Sequence, residues 1–154
     1  MPKVYPIRSP QSYEYRFTTD STIEYVVLFS LYDGINDTIF SVVIAPVNCT
    51  NPPKDYNVAA TIRDVFCKFF SETTACIIYT PDFSDNRQEH RHLLFTRWFD
   101  GHLPNEFELI SVELEYTKHA VTLYTNLLFR TDYPHKVQVK NAFAKRLEYY
   151  QGLK

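Results

Sequence analysis

The chain has 154 residues, 45% hydrophobic and 22% charged, with a formal charge of −2. This balance supplies enough apolar surface for one core and sets the expectation of a single domain over residues 1–154. It excludes disordered and fibrous chains and nonspecific adhesion to nucleic acid by the whole surface, and no apolar run approaches the roughly 18 residues of a membrane span.

After a start punctuated by Pro2, Pro6 and Pro10, Tyr13, Tyr15 and Phe17 alternate with Glu14, Arg16 and Thr18, the period of a half-buried strand. The stretch 22–32 is rich in β-branched and aromatic residues and ends on the turn signal Asp33-Gly34. Residues 38–47 resume that character, which predicts a three-stranded antiparallel meander. Asn51-Pro52-Pro53 cannot continue a ladder, because each proline lacks a donor and fixes its φ. Asp55 or Asn57 can then cap a helix whose apolar positions Val58, Ile62, Val65, Phe66, Phe69 and Phe70 recur at steps of three and four.

Residues 75–80 form a short apolar run suited to a central strand buried on both faces. Ser84 or Asp85 can cap a second helix that runs to about Asp100, stops at Gly101 and turns Leu94, Phe95, Trp98 and Phe99 to the core. The alternation over 107–116, the connection Thr117-Lys118-His119 and the run 120–130 predict a hairpin. From Pro134 onward, Val137, Phe143 and Leu147 mark a terminal helix that also carries Lys136, Lys140, Lys145 and Arg146. The fold class is therefore α+β: a mostly antiparallel mixed sheet of about six strands with three helices, in the order β-β-β-α-β-α-β-β-α. The strand tyrosines suit half-exposed faces and interfaces, which makes a homodimer one of the assemblies to test.

The three cysteines, Cys49, Cys67 and Cys76, lack C-x-x-C spacing and read as reduced thiols. With no apolar signal core in residues 1–10, they set the expectation of a cytoplasmic protein. Gly34, Gly101 and Gly152 are the only glycines, so no phosphate-binding glycine loop or G-x-S-x-G elbow exists and no cofactor is expected. His90 and His92 point to different sides of a helix and cannot share a metal, and no metal site is expected.

The densest polar group is Asp82, Asp85, Arg87, Glu89, His90, Arg91, His92 and Arg97. On a helix Arg87, Arg91 and Leu94 share one face, while His90 and Arg97 align seven residues apart. Arginine forks bind carboxylate or phosphate, and a helix start near Ser84 adds unpaired N–H groups. The candidate binding residues are thus Ser84, Asp85, Arg87, His90, Arg91 and Arg97, for an acidic protein partner or an anionic small molecule. The plainer alternative is that Asp82, Asp85 and Glu89 pair with these arginines. The basic terminal helix, with Phe143, Tyr149 and Tyr150, can contact nucleic acid, but a solvated face is the commoner arrangement and nucleic acid is not the favoured partner.

The run Ser84-Asp85-x-Arg87-x-x-x-Arg91-x-x-Leu94-Phe95-x-Arg97-Trp98-Phe99, after Cys76-Ile77-Ile78-Tyr79, resembles a small family of bacterial proteins of similar length and unknown function. Tyr15-Arg16-Phe17-Thr18-Thr19-Asp20 and Leu127-Leu128-Phe129-Arg130 extend that resemblance over most of the chain. It implies a bacterial, cytoplasmic protein with an integral arginine helix. The element order also resembles the core of the GNAT acyltransferase superfamily, in which a [QR]-x-x-G-x-[GA] loop holds the coenzyme A pyrophosphate at a helix N-terminus. The corresponding residues 48–60 contain no glycine, and their prolines delete the donors such a loop needs. Three readings follow: a non-catalytic binding or regulatory domain, a divergent GNAT-like acyltransferase, and a metal-dependent nucleic-acid-processing enzyme using Asp82, Asp85 and His90.

Overall fold

A computed structural model describes residues 2–32, 37–81, 86–99, 106–116 and 121–152, the side chains of 116 and 146–152 excepted. In chain order the elements are β1 (Arg8–Gln11), β2 (Glu14–Thr18), β3 (Glu24–Leu31), β4 (Ile39–Pro46), α1 (Tyr56–Glu72), β5 (Cys76–Tyr79), α2 (Gln88–Phe99), β6 (Phe107–Tyr116), β7 (Val121–Arg130) and α3 (Lys136–Gly152). They build one mixed sheet of seven strands, ordered β1-β2-β3-β4-β5-β7-β6. Every neighbouring pair is antiparallel except β4 and β5, which α1 connects as a parallel crossover. The fold is α+β as the patterning predicts, with seven strands where about six are expected.

The additional strand is β1. All four of its residues are exposed, so no alternation of burial marks it, and it includes Pro10. An edge position tolerates the missing donor, and the register slips between Arg8 and Gln11. Tyr13, in the tight turn to β2, is held at φ 67 with its ring against Phe40 and Phe69, 5.2 and 5.9 Å between centroids.

Strand parity separates two layers. Tyr25, Val27 and Phe29 of β3, Phe40 and Val42 of β4, Ile77 of β5 and Leu128 of β7 join Val58, Ile62, Val65, Phe66, Phe69 and Phe70 of α1 and Phe95 and Phe99 of α2 in one core. Aromatic rings dominate it: Phe29 stacks on Phe69 at 3.9 Å between centroids, and Phe66 meets Phe99 at 4.6 Å. The opposite face carries a smaller cluster of Ile39, Cys76, Ile78, Leu127, Phe129, Tyr133 and Val139, covered by α3. β5 therefore lies centrally and is buried from both sides, as its continuous apolar run predicts.

Two expectations need correction. Val137 is 67% exposed, and the buried stripe of α3 joins the expected Phe143 with Val139 in its place. α2 starts at Gln88, later than a cap at Ser84 or Asp85 requires, with Arg87 as the residue whose carbonyl accepts the first helical bond, from Arg91 N at 3.1 Å. The expected turn at Asp33-Gly34, the stop at Gly101 and the connection Thr117-Lys118-His119 lie outside the described residues. Among the described residues, no helix is long and apolar enough to cross a membrane.

Candidate functional site

Two buried rings place α2. Phe95 stacks on Tyr79 at the end of β5, 4.5 Å between centroids, and Phe99 contacts Phe66 of α1. Arg63 of α1 ties down the far end by donating from Nη1 to the Trp98 carbonyl at 3.2 Å. With these points fixed, the 3.6-residue period sends His90, Leu93 and Arg97 outward in one stripe, and all three are exposed, Leu93 at 48%. His90 and Arg97 both lie on this exposed stripe, about two helical turns apart.

The other arginines are arranged differently. Arg87 is exposed at the helix start, whereas Arg91 is half-buried and turned toward β5, where its charge opposes the rise that burial imposes on the Tyr79 phenol. Both are engaged with neighbouring groups, in line with the alternative that these arginines have structural partners. Arg97 has no ion pair among the described residues. Ser84 and Asp85 lie outside the described residues, as does Asp82.

The inner side of α2 carries polar groups that the spacing argument overlooks. Gln88 and His92 precede Phe95 and Phe99 on one buried stripe at steps of four, three and four, against β7. Gln88 Nε2 donates to the Thr122 carbonyl at 3.2 Å, and the His92 ring stacks on Tyr124 at 4.5 Å between centroids. Beside them the fully buried Asn126 accepts from Ser111 Oγ at 2.7 Å and donates from Nδ2 to the Tyr79 carbonyl at 3.2 Å. Burial holds His92 below the usual imidazole range, against the opposite pull of Glu113, a hydrogen bond with Asn126, and Glu89. The signal in the sequence was a polar pair at positions where the Phe95–Phe99 stripe calls for apolar side chains.

A family model matches residues 54–145, more than half of the chain. The chain belongs to DUF6169, a family of unknown function. The matched DUF6169 stretch contains α1, β5, α2 and the β6–β7 hairpin, hence both sides of α2. No curated protein and no solved structure matches the chain.

Other parts of this DUF6169 protein constrain its chemistry. Burial pushes the Cys76 thiol up to about 12 and also raises Cys67, so neither is primed as a thiolate. Among the described residues, no group of three or more His, Cys, Asp and Glu is placed to hold a metal. The start of α1 is closed by the chain itself: Asp55 Oδ1 accepts from Asn57 N at 2.8 Å, Tyr5 OH donates to Asp55 Oδ2 at 2.6 Å, and Lys3 N donates to Asn57 Oδ1 at 2.9 Å. That turn presents a carboxylate where a pyrophosphate would need free N–H groups. A cavity of about 150 Å³ opens away from α2, between the end of α1 and the start of α3, where Arg130 is paired with Asp132.

Proposed function

We propose that the protein is a non-catalytic binding domain that engages an acidic protein partner through the outer side of α2. The observation that carries this reading is the stripe of His90, Leu93 and Arg97, in which an exposed leucine lies between cationic or cationisable side chains on a helix fixed to the core by Phe95 and Phe99. A small anion would call for a concavity, whereas an exposed helix stripe with an apolar centre fits a protein surface. Binding of fluorescent poly-glutamate, followed by anisotropy, tests this. The expected result is binding at low ionic strength that weakens with salt and is lost in His90→Glu/Arg97→Glu. Equal affinity in that folded double variant would sink the reading.

A divergent acyltransferase is the second reading, favoured by the strand order and by the way the parallel pair parts. β5 matches β4 only at Ile39, Phe40 and Ser41, while β4 continues to Pro46 against β3 alone. An opening of this kind at the carboxyl ends of parallel strands is where ligands often enter an α/β unit. The closed start of α1 counts against it. Calorimetry with acetyl-coenzyme A separates the two readings, since no heat and no thermal shift at millimolar ligand removes the second.

A further inference from the structure

The seam between α2 and β7 holds two buried polar side-chain atoms that find no hydrogen-bond partner among the described residues. Gln88 is 7% exposed, and its bond to the Thr122 carbonyl leaves Oε1 buried without a partner among the described residues. One turn along α2, Nδ1 of His92 is likewise buried and unpartnered. Gln88 lies against Thr122 and His92 against Tyr124, successive positions on one face of β7, so the two unmatched acceptors follow each other along a single seam.

Carboxylates border the same seam. Across the hairpin Glu113 is the partner of Tyr124 and Glu115 the partner of Thr122, so both lie on that face of the sheet. From the helix side Glu89 acts with Glu113 on His92 and on Tyr124. None of Glu89, Glu113 and Glu115 forms an ion pair with a described residue. A buried acceptor without a donor is costly, and carboxylates that have no cation paired to them among the described residues draw positive charge. A water molecule would answer the first demand and leave the second.

We propose that this seam binds an ammonium group, carried by a small primary amine or by a lysine side chain. Its N–H donors match Gln88 Oε1 and His92 Nδ1, and its charge is balanced by Glu89, Glu113 and Glu115. The site faces the sheet, on the other side of α2 from the His90–Leu93–Arg97 stripe, and stands or falls independently of the acidic-partner reading.

The test follows the ring nitrogens of His92 by NMR in ¹⁵N-labelled protein at about pH 7.5, where a primary amine is charged. Butylamine is the probe. Tetramethylammonium, a cation without N–H donors, and 1-butanol, a donor without charge, are the controls. A saturable upfield movement of Nδ1 with butylamine at millimolar concentration, absent with both controls, supports the site. Glu113→Gln, at an exposed position, weakens butylamine about fivefold, the share of one surface carboxylate. Gln88→Leu, provided its circular dichroism matches the parent, abolishes the response. Nα-acetyl-lysine amide identifies the source: tighter binding than butylamine assigns the site to a partner's lysine, weaker binding to a free amine. No saturable movement in folded protein, an equal response to tetramethylammonium, or unchanged affinity in Glu113→Gln overturns the proposal.

Discussion

The two sides of α2 carry opposite chemistry on the same twelve residues. Outward, Arg97 and His90 present donors to water around an exposed leucine, while inward Gln88 Oε1 and His92 Nδ1 are buried with no hydrogen-bond partner among the described residues. An exposed cation keeps its hydration whether or not a partner arrives, so its presence alone says little about function. A buried acceptor has already lost its water, and the fold bears that cost until something replaces it. Dense charge on this helix is the sequence's signal, yet the stronger physical evidence for a ligand is the pair of unpartnered buried atoms on its inner side.

The sharpest way to break the comparison is to release the helix. Phe95→Ala removes the ring that stacks on Tyr79 and reaches Phe66 and Phe99, and a fully buried phenylalanine of this kind is expected to cost about 3–5 kcal/mol in urea unfolding. Poly-glutamate and butylamine binding should then fail together. A loss below about 1 kcal/mol would mean that other contacts hold α2 in place.

Asn126→Ala acts on the inner side alone. It leaves the Tyr79 carbonyl without the Nδ2 donor at 3.2 Å and Ser111 Oγ without its acceptor, an expected loss of about 1–3 kcal/mol. Because bonding to Asn126 favours the protonated imidazole, the pKa of His92 should fall further in this variant, measured by NMR titration. A rise would show that Asn126 does not act on His92 in that way.

What was legible in the chain follows the same division between buried and exposed groups. Tyr15 and Phe17, Tyr25, Val27 and Phe29, and the α1 series from Val58 to Phe70 repeat apolar side chains at the period of their element, so strands, helix and their shared face could be read directly. β1 could not, since a strand with no buried residue has no pattern to repeat. In α3 Phe143 is read correctly and Val137 is not: Val137 is a β-branched apolar residue, but the stripe that meets β6 and β7 joins Phe143 with Val139, flanked by Lys136 and Lys140 reaching Glu108. The inner seam was hidden because Gln88 and His92 count as polar in any periodicity score. Only their phase with Phe95 and Phe99 marks them as buried, and the contribution of β7 depends on a contact between residues about thirty positions apart.

Acid should weaken the inner side of α2. The pKa of His92 in the folded chain lies below its ordinary value of 6.5 chiefly because of burial, so between the two values the unfolded chain binds a proton that the folded chain does not. The stabilisation from keeping His92 neutral is therefore complete above about pH 6.5 and is lost as the pH falls toward the folded value. His92→Phe, which keeps a ring to stack on Tyr124, should flatten that acid limb in a series of urea unfolding curves and leave the alkaline side unchanged. An identical acid limb in the variant would place the titration elsewhere.

The smallest expected effect on stability belongs to the outer stripe, and its smallness is informative. Arg97 is exposed, carries no ion pair among the described residues and buries no neighbour of its own, so Arg97→Ala should change unfolding free energy by less than about 0.5 kcal/mol. In Leu93→Ala, by the same reasoning, little is lost in the free protein because half of that side chain already meets water. If both substitutions leave the urea midpoint in place while weakening poly-glutamate binding, these residues contribute to recognition without contributing to the fold, as expected of an interaction surface. If Arg97→Ala instead destabilises by 1 kcal/mol or more, the guanidinium has a structural partner, the outer side of α2 ceases to differ in kind from the engaged Arg87 and Arg91, and the acidic-partner reading loses the residue on which it most depends.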